Sequence, residues 1–280
     1  MVMEAGRALN QARARLKAAG ISGTADLDAL VLMEDVTGID RARLLAEPAQ
    51  KLTLTQLRTY NQQINQRRRH IPLAYIRKQS EFYGRTFYID KRVLEPRPES
   101  EAMIDEAKSL IVSLKRRPLV IDIGTGSGAL IISLKLELPL GQAVAIDLSQ
   151  DCLDVAKINM QKFALDIEFR KGDLIDCLPD KLFQINRPVL ALANLPYVPN
   201  NWKINEAAMQ EPRMAIFGGG DGLDLYRTLF KQLTTRNNPV DYLLCESMPP
   251  QHATLAELAA VYGYKLIGTN DFIQVFSCLA

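Results

Sequence analysis

The sequence has little of what several classes of protein require. It has four cysteines and two histidines in 280 residues and no C-x-x-C pair, so neither a zinc site nor a redox pair is indicated. No stretch approaches the roughly 18 apolar residues of a membrane span, and the N-terminus lacks the apolar core of a signal peptide. The net charge is only +2, which is low for a protein that binds nucleic acid through its phosphates. We therefore expect a cytoplasmic protein with no metal and with neither a membrane nor a nucleic acid as its partner.

The first part of the chain shows only helical patterns. Apolar residues recur at helical spacing over residues 3–19 and again over residues 24–38. Asp40 caps a short third helix, and a long polar helix opens at Thr53 or Thr55. The pattern predicts a small helical bundle.

The character of the sequence changes after this bundle. Aromatic residues lie on both sides of Gly84 in FYGRTFYID, a pattern that predicts a β-hairpin. We divide the chain into a helical domain at 1–77 that recognises the substrate, a linker hairpin at 78–95 and a larger domain at 96–280.

From Pro118 onwards, strand-like and helix-like segments alternate. Helical segments near residues 127–137, 150–163, 222–234 and 251–262 lie between or after the apolar runs PLVIDIG, QAVAID, DIEFRKGD, PVLALAN and VDYLLCES. This alternation predicts an α/β fold in which a parallel sheet has helices on both faces. Two final runs, YKLIGT and DFIQVFSCLA, predict a terminal antiparallel hairpin.

The first of these strands leads into a glycine-rich turn. Gly124, Gly126 and Gly128 follow it in DIGTGSGAL, just before a helix whose free N–H groups can face a ligand. The G-x-G-x-G spacing disfavours NAD and FAD, because a dinucleotide fold places its third glycine one residue later.

Acidic residues end or follow the first three strands of this domain. Asp122 precedes the glycine turn, Asp147 ends the second strand and Asp173 follows the third. An acid at the position of Asp147 can accept hydrogen bonds from both ribose hydroxyls of an adenosine ligand. Because the ends of parallel strands meet at one edge of a sheet, we expect these acids to line a site for an adenosine ligand with a cationic group.

The fourth strand ends in Asn194-Leu195-Pro196-Tyr197. Taken alone, Asn and Pro after an apolar run indicate a turn at the end of a strand. After the glycine turn and the acids, the same residues are candidates for a site that holds a nitrogen nucleophile. The Asn194 side-chain oxygen and the carbonyl oxygen of residue 195 could each accept one N–H of an amide.

These features resemble the class I S-adenosylmethionine-dependent methyltransferases, and NLPY resembles the [N/D/S]-P-P-[Y/F/W] motif of those that methylate amino or amide nitrogens. The resemblance implies a Rossmann-like, seven-stranded, mostly parallel sheet, and S-adenosyl-L-methionine as the cofactor, with S-adenosyl-L-homocysteine as its product. It implies that the catalytic and substrate-binding residues are Asn194, Leu195, Pro196 and Tyr197. The cofactor-binding residues that we expect are Asp122, Gly124, Thr125, Gly126, Ser127, Gly128, Asp147, Leu148, Asp173, Leu174, Asn194 and Arg97.

Within that class the chain resembles the HemK/PrmC family over nearly its whole length. VLEPRPESE at 93–101 is similar to the family string V-L-I-P-R-P-E-T-E, and the segments near Pro72, Gly84, Glu211 and Gly222 are also similar to family motifs. The resemblance implies transfer of a methyl group to N5 of a glutamine, in the GGQ loop of a peptide-chain release factor. We expect the chain to act as a monomer on this protein partner. Arg97 lies ahead of a helix N-terminus, where a cation is unfavourable, which favours a role at the cofactor or substrate.

Two positions depart from the family pattern. Leu195 replaces the first proline of N-P-P-Y, and Glu95 replaces an aliphatic residue. Leu195 retains the carbonyl that the mechanism needs and loses only the fixed φ of proline.

Three alternatives remain open at this point. N-L-P-Y also resembles the ribosomal RNA adenine dimethyltransferases, but those have an acidic E-x-G-x-G-x-G turn and a helical domain after the catalytic domain. A ribosomal-protein glutamine could be the acceptor on the same scaffold. A non-catalytic cofactor-binding protein is the third alternative.

Overall fold

The computed structural model describes residues 3–183, 187–235 and 240–279. They form two compact units. One comprises the chain up to Lys78 together with Ile204–Gln210, and the other comprises Gln79–Lys203 and the chain from Glu211 onwards.

The N-terminal unit is mainly helical. Its elements, in chain order, are β1 (Met3–Glu4), α1 (Ala5–Lys17), α2 (Ala25–Thr37), α3 (Arg41–Ala46), β2 (Lys51–Leu52), α4 (Leu54–Arg67) and α5 (Leu73–Arg77). The predicted helices are present, and α2 ends at Gly38 because its left-handed backbone (φ 69°) suits glycine. Thr53 begins α4 with a capping box completed by Gln56. The two-residue strands β1 and β2, which pair antiparallel, were not predicted.

A buried ion pair lies within this helical unit. The Arg67 Nε lies 2.7 Å from Oδ2 of Asp28, which also accepts a hydrogen bond from the Thr24 hydroxyl. Asp28 is 3% exposed and Arg67 is 9% exposed, so each charge depends on the other for compensation. Around them the core is apolar, with Leu16, Leu32, Met33, Tyr60 and Ile64 almost fully buried.

The larger unit contains a hairpin and an α/β domain. Its strands are β3 (Gln79–Phe82), β4 (Arg85–Tyr88), β5 (Leu119–Ile123), β6 (Ala143–Asp147), β7 (Glu168–Lys171), β8 (Val189–Ala193), β9 (Tyr242–Glu246), β10 (Tyr264–Asn270) and β11 (Ile273–Cys278). Its α-helices are α6 (Glu101–Ser113), α7 (Ala129–Glu137), α8 (Gln150–Lys162), α9 (Asp224–Thr234) and α10 (His252–Val261). Short 3-10 helices are formed by Pro98–Ser100, Asp180–Leu182, Ala208–Gln210 (in the N-terminal unit), Arg213–Ala215 and Pro249–Gln251. In the described ranges, none of the helices is long and apolar enough to cross a membrane.

Seven of these strands form one sheet in the order β10-β11-β9-β8-β5-β6-β7. Strands β5 to β9 pair in parallel, and β11 lies antiparallel between β9 and β10. The predicted α/β fold with a terminal antiparallel hairpin is therefore confirmed. The chain adds β6 and β7 on one side of β5 and then returns to place β8 on the other, so the order reverses between β5 and β8.

Every residue of β5 is buried, as expected for a strand in a sheet covered on both faces. Leu119, Ile121 and Ile123 belong to the core that includes residues of α9 and α10. Asp122 faces the opposite side, towards the start of α7. This arrangement leaves the carboxyl ends of the parallel strands as the open edge of the sheet.

The β3–β4 hairpin packs against α8. The ring of Phe87 lies 5.3 Å from that of Phe163, and the Asn159 side chain bonds to both the backbone N–H and the carbonyl of Tyr88. The same Asn159 amide donates to the carbonyl of Ser127 in the glycine turn. The hairpin is thus tied by one buried amide to the turn that follows β5.

The ion pair in the helical unit yields a stability prediction. Asp28→Ala leaves the Arg67 guanidinium buried without its partner, so we expect the free energy of unfolding in urea to fall by about 3–5 kcal/mol. The double variant Asp28→Ala with Arg67→Met removes both charges and should recover most of this loss.

Asp35 provides the matched control. Its carboxylate pairs with Arg77 at the same 2.7 Å, but these side chains are 24% and 22% exposed. Asp35→Ala should cost no more than about 1 kcal/mol. Equal losses for Asp28→Ala and Asp35→Ala would contradict the role given to burial.

Candidate active site

Strand pairing brings the two predicted motifs together. Ile123 of β5 is in register with Ala193 of β8, so Gly124 and Asn194 leave the sheet side by side. This is the point at which the strand order reverses, where open α/β sheets bind ligands outside the carboxyl ends of their strands.

A cavity opens at this edge of the sheet. Among the residues predicted to bind a cofactor or substrate, those that line it are Gly124, Gly126, Asp147, Leu148, Asp173, Leu174, Asn194, Leu195 and Pro196. Asp122, Thr125, Ser127, Gly128, Arg97 and Tyr197 are not among the lining residues.

Other lining residues were not predicted. They are Arg92, Leu94, Ile146, Ser149, Cys152, Gly172, Pro212, Met214, Ala215 and Leu225. Leu94, Pro212 and Ala215 fall within strings that carry the family resemblance, so that signal could have identified them. Ile146, Ser149 and Gly172 adjoin the predicted Asp147, Leu148 and Asp173. Nothing in the local sequence marks Arg92, Cys152, Met214 and Leu225, because parts of the chain distant in sequence meet at the cavity.

The glycine turn is held by the neighbouring strand. The N–H groups of Gly124 and Thr125 both donate to the carbonyl of Ile146 in β6, at 2.9 and 2.8 Å. Gly124 has a φ of 74°, which favours glycine, and a Cβ there would lie 3.2 Å from the Leu195 side chain. The turn can therefore lie close to both the cavity and the NLPY segment.

Asp147 connects the turn to the end of β6. Its Oδ2 accepts a hydrogen bond from the Gly126 N–H, and its Oδ1 accepts one from the Ser149 N–H, each at 2.9 Å. Burial raises the pKa of this carboxyl, and these backbone N–H groups oppose the shift. Ser149 caps α8 itself, accepting from the Cys152 N–H. The Asp147 carboxylate therefore sits at the cavity wall in a fixed orientation.

Asp122 has a different position from the one we expected. It is fully buried behind the turn, where its Oδ2 accepts a hydrogen bond from the Thr125 hydroxyl at 2.6 Å. Its Oδ1 is buried and has no hydrogen-bond partner among the described residues. Burial raises the pKa of Asp122 to about 7, and the hydrogen bond from Thr125 opposes that rise. Asp122 therefore stabilises the glycine turn through Thr125.

The nitrogen of the Asn194 side-chain amide is bonded within the protein. Its Nδ2 donates to the Ser100 hydroxyl oxygen at 2.8 Å. In the described part of the chain, no donor bonds to its Oδ1 or to the carbonyl oxygen of Leu195. The Leu195 side chain is 3% exposed and belongs to the core of the domain. Two hydrogen-bond acceptors therefore remain available at this strand end.

The rest of the NLPY segment is fixed through its main chain. A Cβ on Gly218 would lie 2.1 Å from the Pro196 carbonyl oxygen, and one on Gly222 would lie 2.0 Å from that of Tyr197. The Gln251 side-chain amide donates to the carbonyls of both Tyr197 and Asp221, at 2.8 and 2.7 Å. The segment 218–222 thus acts as a glycine clamp, a backbone surface against which the NLPY loop rests.

Arg97 pairs with a buried acid. Its guanidinium lies 2.5 Å from the Glu211 carboxylate, which also accepts from the Glu95 N–H. Burial raises the pKa of Glu211, and the charge of Arg97 opposes the rise. This partner explains a cation ahead of a helix N-terminus. Pro212, next to Glu211, lines the cavity, so the pair fixes part of the cavity wall.

Among the described residues no group of three or more His, Cys, Asp or Glu side chains could hold a metal ion.

Solved structures share the fold of the chain. The hMettl16 catalytic domain in complex with the MAT2A 3′UTR hairpin 6 aligns with a TM-score of 0.55 at 15% identity, over 87% of this chain and 93% of that one. The 16S rRNA N2 G1207 methyltransferase of T. thermophilus, solved with AdoMet and guanosine, aligns with a TM-score of 0.50 at 15% identity, over 72% and 50% of the two chains. At this identity the likeness shows a class I methyltransferase fold.

Sequence comparison identifies the family. Residues 7–77 match the PrmC N-terminal domain, and residues 115–212 match a methyltransferase domain. A release factor glutamine methyltransferase of Deinococcus radiodurans is 31% identical over 95% of this chain and 96% of its own. One of Koribacter versatilis is 33% identical over 79% and 78% of the two chains. The chain belongs to the release factor glutamine methyltransferase family.

Proposed function

We propose that the chain transfers a methyl group from S-adenosyl-L-methionine to the side-chain amide nitrogen, N5, of a glutamine in the GGQ loop of a peptide-chain release factor. The observation that carries this proposal is the orientation of Asn194. Its amide nitrogen is bonded to Ser100, which leaves its carbonyl oxygen available at a cavity beside the glycine turn.

A glutamine amide needs this arrangement because it is a poor nucleophile. Its nitrogen lone pair is delocalised into the carbonyl, and positive charge develops on nitrogen as a new bond forms. Two fixed acceptors, the Asn194 Oδ1 and the Leu195 carbonyl oxygen, can each accept one amide N–H and stabilise that charge. Held in this way, the nitrogen is also oriented for attack, which removes much of the entropic barrier.

The cavity suits the methyl donor by the chemistry of its lining. The Asp147 and Asp173 carboxylates suit ribose hydroxyls and a cationic group, and the apolar Ile146, Leu148 and Leu174 side chains suit a flat base. When bound, S-adenosyl-L-methionine supplies a methyl group attached to a positively charged sulfur. These residues and the glycine turn would bind the cofactor.

The choice of acceptor rests on the family. The relatives from Deinococcus radiodurans and Koribacter versatilis carry the name release factor glutamine methyltransferase. We assign recognition of the release factor to the N-terminal domain at 1–77, with 78–95 as a linker and 96–280 as the transferase domain. A monomer acting in the cytoplasm stays our expectation.

One assay separates this proposal from its rivals. The protein is incubated with S-adenosyl-L-methionine labelled on its methyl group and with a release factor, ribosomal proteins or unmodified ribosomal RNA. We expect label in the release factor, on the glutamine of the Gly-Gly-Gln loop when peptides are mapped by mass spectrometry. Label in RNA alone would overturn the proposal.

Asn194 gives the sharpest mutational prediction. Asn194→Ala removes one of the two acceptors, so we expect kcat to fall by roughly 100-fold or more. The affinity for S-adenosyl-L-methionine, measured by calorimetry, should change by no more than about twofold because most of the lining is untouched.

Asn201→Ala is the matched control, since Asn201 is exposed and does not line the cavity. It should keep the turnover of the unaltered protein. Full activity in Asn194→Ala would refute the role of Asn194.

A further inference from the structure

A buried carboxylate lies behind the NLPY segment. Glu246 ends β9 and is 1% exposed. Its Oε1 accepts a hydrogen bond from the Tyr197 hydroxyl at 3.0 Å. Its Oε2 is buried and has no partner by hydrogen-bond geometry within the described ranges. A buried carboxylate with an unsatisfied oxygen costs stability, so a functional reason for it is expected.

The polar groups around Glu246 come from three parts of the chain: the 3-10 helix Pro98–Ser100, the NLPY segment and α9. Burial raises the pKa of Glu246 to about 6, while the Tyr197 hydroxyl, which donates to the carboxylate, and the nearby Ser100 and Asn194 side chains oppose the rise. Glu99 acts in the opposite sense, because its negative charge raises the pKa of Glu246. From α9, the Tyr226 hydroxyl donates to the Glu246 backbone carbonyl at 2.5 Å and makes no hydrogen bond to the carboxylate in the described structure.

An asparagine amide can face either way, and its neighbours decide which. An ionised carboxylate only accepts hydrogen bonds, so it favours the NH₂ end of a nearby amide. A serine hydroxyl that turns its hydrogen towards a nearby carboxylate presents its oxygen lone pairs to the amide as an acceptor. Both routes hold the Asn194 nitrogen inward, where it bonds to Ser100, and leave its oxygen outward.

We propose that Glu246 is a positioning residue that fixes the amide orientation of Asn194, directly and through Ser100, so that Asn194 offers an acceptor to the substrate. This inference rests on the proposed function and goes beyond it, because it assigns a role to a residue that does not line the cavity. Through its bond to the Tyr197 hydroxyl, the same carboxylate also holds the aromatic ring of the segment.

Protonation of Glu246 removes its preference for the NH₂ end of the Asn194 amide. A neutral carboxyl can donate a hydrogen bond, so the Asn194 oxygen can turn inward and its NH₂ outward, where it repels the N–H groups of the substrate. The carboxylate form is present above the pKa of Glu246, at about 6, and is lost as the pH falls through that value. Methyl transfer should therefore decline on the acidic side of this pKa.

Kinetics of Glu246→Gln test the proposal. Glutamine keeps the size but can donate, so kcat at saturating cofactor should fall roughly 10- to 100-fold. The decline of kcat below pH about 6 should disappear, because the titrating group is gone. Cofactor affinity and the melting temperature report whether the cavity and the fold are intact.

The matched control is Ser247→Ala. Ser247 is the next residue along, is fully buried and has an unpaired hydroxyl in the described structure. It should retain the kcat and the acidic decline of the unaltered protein.

A second readout does not depend on activity. In protein labelled with ¹⁵N-asparagine, the Asn194 side-chain NH₂ signal is identified by its absence in Asn194→Ala. We expect this signal to shift with a midpoint near pH 6 in the unaltered protein and to show no such midpoint in Glu246→Gln.

The outcomes are separable. Loss of both the kinetic and the spectroscopic midpoint in Glu246→Gln supports the proposal. A spectroscopic midpoint in a protein that methylates none of the three acceptors would refute the proposed function yet support the positioning role. The positioning role of Glu246 is overturned by full kcat in Glu246→Gln, or by an Asn194 signal that does not respond to pH between 5 and 7.

Discussion

The close contact between two stretches of main chain is the constraint on which the site depends. The carbonyls of Pro196 and Tyr197 rest against Gly218 and Gly222, at distances that no side chain at those glycines would permit. Gln251 closes the contact by bonding to the Tyr197 carbonyl. Because backbone meets backbone, the main chain of the loop is fixed independently of its side chains, and the Leu195 carbonyl can face the cavity in one geometry.

This constraint explains how the loop can hold a leucine in place of the first proline of N-P-P-Y. A second proline would restrict φ, but the glycine clamp already restricts the loop from outside. Leu195 instead contributes a buried side chain that packs beside Gly124, and its carbonyl remains available. The departure from N-P-P-Y therefore changes how the loop is held and keeps what it offers to a substrate.

The fold was largely predictable from the chain. Alternating apolar runs and helical segments are local signals, and they led to the parallel sheet and the terminal hairpin. The partners were not predictable, since they are distant in the chain. Ser100 and Asn194 are 94 positions apart, and Arg97 and Glu211 are 114 apart. Glu246 ends an apolar run and resembles any strand end. Asp122, expected at the cavity, is instead fully buried beneath the glycine turn, where it bonds to the Thr125 hydroxyl.

Turnover of two glycine variants tests the role of the clamp most directly. A Cβ at Gly218 would meet the Pro196 carbonyl, whereas at Gly220 it would meet no described atom within 4 Å, and neither glycine has a positive φ. A displacement of about 1 Å can cost roughly 100-fold in rate, so we expect Gly218→Ala to lose about that much methyl transfer while cofactor affinity is largely kept. Gly220→Ala should match the unaltered protein. Equal turnover in both variants would contradict the account.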